Sequence, residues 1–415
     1  MDRHEKLLII GAGIGQVPLL GKAHEKGIHV TVATVPGKYP CIPLADDVIY
    51  RDIYDRDGVA DEAEKRGITA VISDQNDLMN PTVAYVAEKL GLPGNRFDTV
   101  MSYCNKNQFR NICEKAGVPV PRHTEVTSCD FDIADIDFSL PWMVKPADSQ
   151  SSIGVRRIDR KEEFAPAVRQ ALSRSPTGSA IAEEFFEGQE IVCEGYIHCG
   201  KYYNLSFGDR TYFELPDVLI PNQTLFPSLA DREILDKIVQ YESQLAAYSK
   251  PSFAIVHSEY LVNMKSGEIR IVESALRGGG EYISSDLIPL ATGIDINEVL
   301  LSEALGRKVD LESVLSRKVR RASAYVCFTL PEGAIAGISG LDRLKSLPFV
   351  YRAYVDDIIE GHRTEPMTYK GARKGPILVS GRDRGDLESC IRAVQNTLDI
   401  QVEKDDHSIS GIIWR

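Results

Sequence analysis

Between Val256 and Ser274 two runs alternate apolar and polar residues, Val256 to Asn263 and Glu268 to Ser274, and Lys265-Ser266-Gly267 between them is turn chemistry. A period of two interrupted by a short polar turn predicts a β-hairpin. Such a hairpin brings Glu259 and Glu273 onto neighbouring strands, where they can face one pocket. Carboxylates held that close repel unless a cation lies between them, and hard oxygen ligands in this arrangement suit Mg²⁺ that also carries substrate phosphates. Arg277, followed by Gly278-Gly279-Gly280, adds a planar cationic fork where backbone can approach a ligand. Taken alone, the segment also reads as a solvated hairpin edge with surface glutamates. His257 shares the face of Glu259, so it could orient a substrate carboxylate, take a proton from an amine, or be a hydrogen-bonded core histidine. Glu281 could receive an ammonium or face solvent.

A second segment, PWMVKPADSQSSIGV, puts Lys145 at the end of a short apolar strand, before a loop of small residues that ends at Gly154. A lysine there can reach phosphate oxygens, and small residues let loop amides and hydroxyls close over a polyphosphate. No GxxxxGK[ST] occurs, so this is not a P-loop. In the third segment, AIAEEFFEGQE, apolar residues could sandwich a planar base while backbone groups read its edge, with Glu190 placed to accept from ribose hydroxyls. Each segment singly has a core-strand explanation.

In this order the three resemble the nucleotide site of the ATP-grasp superfamily, of carboxylate-amine ligase and L-amino acid ligase type, over most of the chain. The resemblance implies that Lys106 and Lys145 bind phosphates with Ser151, Ser152 and Gly154. It also implies that Glu183, Glu184, Phe185 and Phe186 form an adenine hinge, and that Glu190 holds the ribose. Glu259 and Glu273 match the magnesium-ligating acids, with Mn²⁺ an admissible substitute. Arg277 matches the arginine that contacts the transferred phosphate or the substrate carboxylate; with Lys145 and His257 it makes the expected catalytic set. The family usually has asparagine where this chain has Ala275, so the resemblance implies that a second metal must rely on Glu273, phosphates and water. The implied reaction is ATP-dependent joining of a carboxylate to an amine through an acyl phosphate, releasing ADP and phosphate. A bicarbonate-using member of the carboxylase or carbamoyl-phosphate kind, and a nucleotide-binding protein without ligase turnover, are the alternatives.

The first hundred residues alternate strand and helix patterns: Leu7 to Ile10, a helix through Lys26, His29 to Ala33, Ala70 to Ser73 and a helix from Pro81 to Leu90. That predicts a parallel, Rossmann-like sheet. The dinucleotide fingerprint is absent, since Gln16 stands at the third glycine position and no acidic residue ends the second strand. The glycines then serve a tight turn, near the acceptor substrate. The expected fold class is α/β, with α+β lobes around the nucleotide. Its divisions are an N-terminal Rossmann-like pre-ATP-grasp domain over 1–104, an ATP-grasp domain over 105–306 with a small lobe of about 115–188, and a C-terminal subdomain over 307–415.

A net charge of −12 without a basic stripe argues against nucleic-acid binding. No apolar run reaches the roughly 20 residues that span a bilayer. The eight cysteines lack CxxC or paired Cys/His spacing, which predicts reduced thiols in a cytoplasmic protein. The expected partners are small-molecule carboxylates and amines; a homodimer is compatible with the sequence.

Overall fold

The computed structural model describes residues 5–149, 153–215, 219–367 and 369–415. Its N-terminal sheet is fully parallel, in the order Asp47–Tyr50, His29–Thr34, Lys6–Ile10, Ala70–Ile72. Leu7 to Ile10 have no exposed surface, as expected where helices cover both faces of a parallel strand, and this is why the segment is continuously apolar. The helix Arg56–Arg66 carries a weak sequence signal because RDGVADEAEKR is polar nearly all round. It is secured at its ends, by the Asp55 side chain accepting from the Gly58 amide and by Gly67 in the left-handed conformation.

A four-stranded antiparallel sheet follows, ordered His123–Val126, Ala180–Glu184, Trp142–Pro146, Arg156–Ile158. The helix Phe164–Arg174 covers it through Phe164, which meets the Trp142 ring edge-on at 5.7 Å. The large antiparallel sheet has eight strands in the order Ile269–Ala275, Phe253–Val262, Gln189–His198, Lys201–Tyr212, Pro221–Phe226, Ala322–Phe328, Lys374–Gly381, Val350–Ala353. Strand Pro221–Phe226 pairs with Ala322–Phe328, so this sheet runs continuously across position 306. A further four-stranded sheet joins Gly333–Ser339 to Asp399–Glu403 near the C-terminus. All eight cysteines are free thiols. Among the described residues no helix is long and apolar enough to cross a membrane.

The helix Arg232–Ser249 packs on the large sheet and buries Glu242, whose carboxyl accepts from the Tyr260 hydroxyl at 2.6 Å. Burial outweighs its hydrogen bonds and lifts this carboxyl from its ordinary 4.5 to about 6. A group whose pKa rises on folding favours the fold below its unfolded pKa and loses that contribution as pH rises through the folded one. Glu242→Gln, which keeps an acceptor and removes the charge, is therefore expected to stabilise the protein by about 1–2 kcal/mol at pH 8 and by little at pH 4. Melting curves at the two pH values check this; equal shifts would contradict it.

Candidate active site

Strands Phe253–Val262 and Ile269–Ala275 pair with His257 opposite Ala275 and Glu259 opposite Glu273, and the register shifts just after Glu259. Alternation puts these four residues on one face. The other face carries Ser258 and Ser274, whose hydroxyls meet at 2.9 Å in the interior. His257, Glu259, Glu273 and Arg277 line a cavity of about 600 Å³. The N-terminal unit closes one side with the turn Gly13 to Gln16 and with Gln75 to Asp77, and the C-terminal region closes another with Tyr369 to Gly371. The glycine turn expected near the acceptor substrate thus borders the same cavity.

Charge in the cavity is organised around Arg210, on strand Lys201–Tyr212. Its Nη1 donates to Glu190 at 2.7 Å and also to Glu259, and its Nη2 lies 3.4 Å from His257 Nε2. Burial opposes ionisation of Glu259, yet Arg210 and His257 hold its carboxyl well below the usual range. Glu190 also accepts from the Tyr212 hydroxyl. His257 is tied at Nδ1 to Glu194 and lies 3.3 Å from Glu259 through Nε2. Burial works against its charged form, but Glu194 raises its pKa.

Glu273 differs from these. Its carboxylate accepts no hydrogen bond from any described residue, and burial pushes it up; Lys106 opposes the rise and the charge of Glu259 adds to it. A half-buried carboxylate facing a second one without its own partner fits a divalent cation. Among the described residues no group of three or more His, Cys, Asp or Glu is arranged as metal ligands. A cation here would take two protein carboxylates and complete its shell from phosphate and water, the usual arrangement for Mg²⁺.

The N-terminal unit clamps the segment after the hairpin. Asp77 receives Arg277 through two bonds, Nε at 2.9 Å and Nη2 at 2.6 Å, and Arg277 Nη1 donates to the Gly278 carbonyl. Asp74, fully buried, accepts from the Gly278 amide and the Ser284 hydroxyl, both at 2.7 Å. The three glycines do not all serve a ligand. A Cβ on Gly278 would lie 2.2 Å from Ser284 Cβ, and one on Gly279 would lie 2.9 Å from both Glu194 Oε1 and His257 Nδ1. Gly280 alone of the three lines the cavity.

Among the described residues, Lys106, Lys145, Gly154 and the segment from Glu183 to Phe186 are not part of this cavity lining. Lys106 begins the helix Lys106–Ala116 and donates to the Ser149 carbonyl at 2.8 Å. Lys145 donates to Glu183 at 2.5 Å, and Glu183 also receives Arg110 at 2.6 Å. All three are buried; Arg110 and Lys145 overcome desolvation and hold the Glu183 carboxyl down at about 2. The carboxylate of Glu183 is thus turned into the lobe, and its backbone pairs with both His123 and Met143 strands. The amides of Glu184 and Phe185 donate to Arg122 and Pro141 carbonyls. Beyond them Phe185 and Phe186 are half-buried, each ring capped by a guanidinium, Arg157 at 4.2 Å and Arg270 at 5.2 Å. Gly154 follows Ile153, which reaches the cavity. Ser151 and Ser152 lie outside the described residues.

Arg110, Arg210, Glu194 and Asp77 were not among the expected site residues. The available signal was a charged residue inside an otherwise strand-like or apolar pattern, as at Gly208-Asp209-Arg210-Thr211, because such residues are buried only when paired.

Two segments match known families. Residues 112–198 match the family described as D-ala D-ala ligase C-terminus, and residues 326–403 match L-amino acid ligase C-terminal domain 2. The alanine–anticapsin ligase of Bacillus subtilis strain 168 is 27% identical over 274 residues, covering 60% of this chain and 57% of that one. The chain thus spans somewhat more than half the length of this curated relative. Among solved structures, an L-amino acid ligase from Bacillus licheniformis superposes with a TM-score of 0.82 at 23% identity, over 97% of this chain and all of that one. A phosphoribosylglycinamide synthetase from Anaerococcus prevotii gives 0.76 at 19% identity, over 95% and 99%. At these identities the structural likenesses speak for the fold.

Proposed function

We infer from one premise, that the chain belongs to the ATP-grasp superfamily and is L-amino acid ligase-like, that it joins the carboxylate of one amino acid to the amine of another at the expense of ATP. The observation that carries this reading is the pair Glu259 and Glu273, in register across the hairpin, with Glu273 lacking a described partner and the anchored Arg277 in the same cavity.

In this reading Lys106 and Lys145 neutralise the polyphosphate together with the loop of Ser151, Ser152 and Gly154, and Lys145 exchanges part of its contact with Glu183 for phosphate. The backbone from Glu183 to Phe186 reads adenine and Glu190 takes the ribose. Glu259 and Glu273 hold Mg²⁺, or Mn²⁺, which when bound neutralises phosphate charge. A carboxylate oxygen of the first substrate attacks the γ-phosphorus, the bridging P–O bond to the β-phosphate breaks and ADP leaves. Arg277 steadies the charge spread over the transferred group, and positioning of this kind requires no covalent protein nucleophile. The second substrate's amine then attacks the acyl carbon, the C–O bond to phosphate breaks, and His257 takes the released proton. Its Nδ1 is tied to Glu194, so Nε2, which lies 3.3 Å from Glu259 and 3.4 Å from Arg210, is the nitrogen assigned to that proton. The part of the chain over 105–306 carries most of these residues, with 1–104 holding Arg277 from outside and 307–415 completing the cavity.

ADP release measured against panels of amino-acid carboxylates and amines, with bicarbonate as a further acceptor, tests the reading. Turnover that needs a carboxylate and an amine together supports it. Turnover with bicarbonate alone, or none with any pair, overturns it.

A further inference from the structure

The fold shields six of the eight thiols. Burial pushes Cys41, Cys104, Cys113, Cys193, Cys327 and Cys390 above the ordinary thiol value of 9, to about 11 at Cys41 and about 12 at Cys113 and Cys327. Cys129 and Cys199 are exposed. Cys129 stands between Ser128 and Asp130, with no histidine beside it in the chain. Cys199 is joined to two further groups in line.

Cys199 occupies the tip of the hairpin between strands Gln189–His198 and Lys201–Tyr212. Its Sγ lies 3.7 Å from Nε2 of His198, and Nδ1 of the same ring lies 2.5 Å from Oε1 of Glu303. Glu303 belongs to the last turn of the helix Ile296–Ala304, where the helix dipole opposes a negative charge. Its partners offset that cost, since Oε2 also accepts from the buried Tyr196 hydroxyl at 2.6 Å. A carboxylate can only accept, so it makes Nδ1 the donating nitrogen and leaves Nε2 to accept from the thiol. The tip itself is tied down: the amides of Cys199 and Gly200 donate to the Ser252 and Pro251 carbonyls at 2.6 and 2.9 Å. Thiol and imidazole therefore stay together although the sulfur faces solvent.

A nucleophile within reach of a base, with the base oriented by a third group, is the arrangement that activates a thiol. We propose that Cys199 is a modification site for small-molecule disulfides, with His198 as the base and Glu303 as the group that orients it. None of the three lines the cavity described above, so the site is separate from the ligase chemistry. His198 takes the thiol proton and the thiolate sulfur attacks one sulfur of the disulfide. The S–S bond breaks, and the departing sulfur takes the proton back from His198. Cys199 ends as a mixed disulfide and one equivalent of small thiol is released, with no other oxidant required.

The test incubates the purified, reduced full chain at neutral pH with glutathione disulfide, which is anionic, and separately with 2-hydroxyethyl disulfide, which is neutral. Peptide mass mapping follows the mixed disulfides at Cys199 and Cys129 with time, so that Cys129 serves as the exposed thiol without a base. With both reagents Cys199 is expected to react about tenfold or more faster than Cys129 in wild type. In His198→Gln the Cys199 rate falls by a similar factor while the Cys129 rate holds, and Glu303→Gln lowers it by a smaller one. His198 is partly exposed, so its replacement leaves the fold intact, and melting curves check that. Equal rates at the two cysteines in wild type, or a Cys199 rate unchanged in His198→Gln, overturn the proposal and leave His198 and Glu303 as a structural ion pair. A preference for Cys199 with glutathione disulfide alone also overturns it, because a protonated His198 would then be attracting an anion without serving as the base.

Discussion

Replacing Glu273 by glutamine is expected to reduce ADP release by about 100-fold or more while the melting temperature stays the same or rises slightly. The two halves of this expectation have one cause. Glu273 has no described hydrogen-bond partner to lose, and burial together with the charge of Glu259 raises its pKa, so its ionised form is disfavoured in the folded protein. Glutamine removes that disadvantage but cannot supply the anionic oxygen that a bound cation needs. Glu259→Gln gives a contrast, because it also strips Arg210 of one of its two carboxylates and should lower stability along with activity. Activity assays and thermal melts on both variants check this. Wild-type turnover in Glu273→Gln would remove the metal assignment.

The largest stability effect is expected at Arg110. Its guanidinium donates to Glu183 on the four-stranded sheet and, at 2.8 Å, to the Val272 carbonyl beside Glu273 on the large one. Arg110→Met leaves Glu183, 1% exposed, with Lys145 as its remaining counter-charge. Breaking a buried pair in this way costs about 3–5 kcal/mol. The Glu183 carboxyl, ordinarily near 4.5, is held at about 2, so the pair's contribution is present above pH 4.5 and is lost as pH falls towards 2. Denaturant melts of wild type and Arg110→Met should accordingly differ strongly at pH 7 and converge under strong acid. A constant difference across that range would contradict the arrangement.

Elements with local determinants were legible in the sequence. The hairpin from Phe253 to Ala275 follows from its alternation and turn. The helix Lys106–Ala116 has both ends written into the chain, with the Asn105 side chain accepting from the Gln108 amide and Gly117 left-handed after the last turn. What depends on distant partners was not legible. Nothing near Arg210 in sequence announces Glu190 and Glu259, 20 and 49 residues away, and nothing near Arg277 announces Asp77, 200 residues away. The same limit explains the glycines. Their run is visible, but that Gly278 and Gly279 make room for Ser284 and for His257 with Glu194, and not for a ligand, requires the packed structure. It explains Glu183 as well, whose carboxylate is turned towards Arg110 by strand pairing that AIAEEFFEGQE does not specify. The division expected between 306 and 307 is crossed by the large sheet, in which Pro221–Phe226 finds its neighbour at Ala322–Phe328.

Ala275 lies buried opposite His257, so in the proposed acyl-phosphate route the cation would have two protein carboxylates, Glu259 and Glu273, and no side-chain oxygen from position 275. The most direct measurement of that route uses the first amino acid with ¹⁸O in its carboxylate, followed through one turnover to amide. Transfer of the γ-phosphoryl group to that carboxylate carries one of its oxygens into the phosphate that the amine later displaces. The account predicts ADP, and ¹⁸O in the released orthophosphate. AMP and pyrophosphate among the products, or unlabelled phosphate during confirmed amide formation, would contradict it.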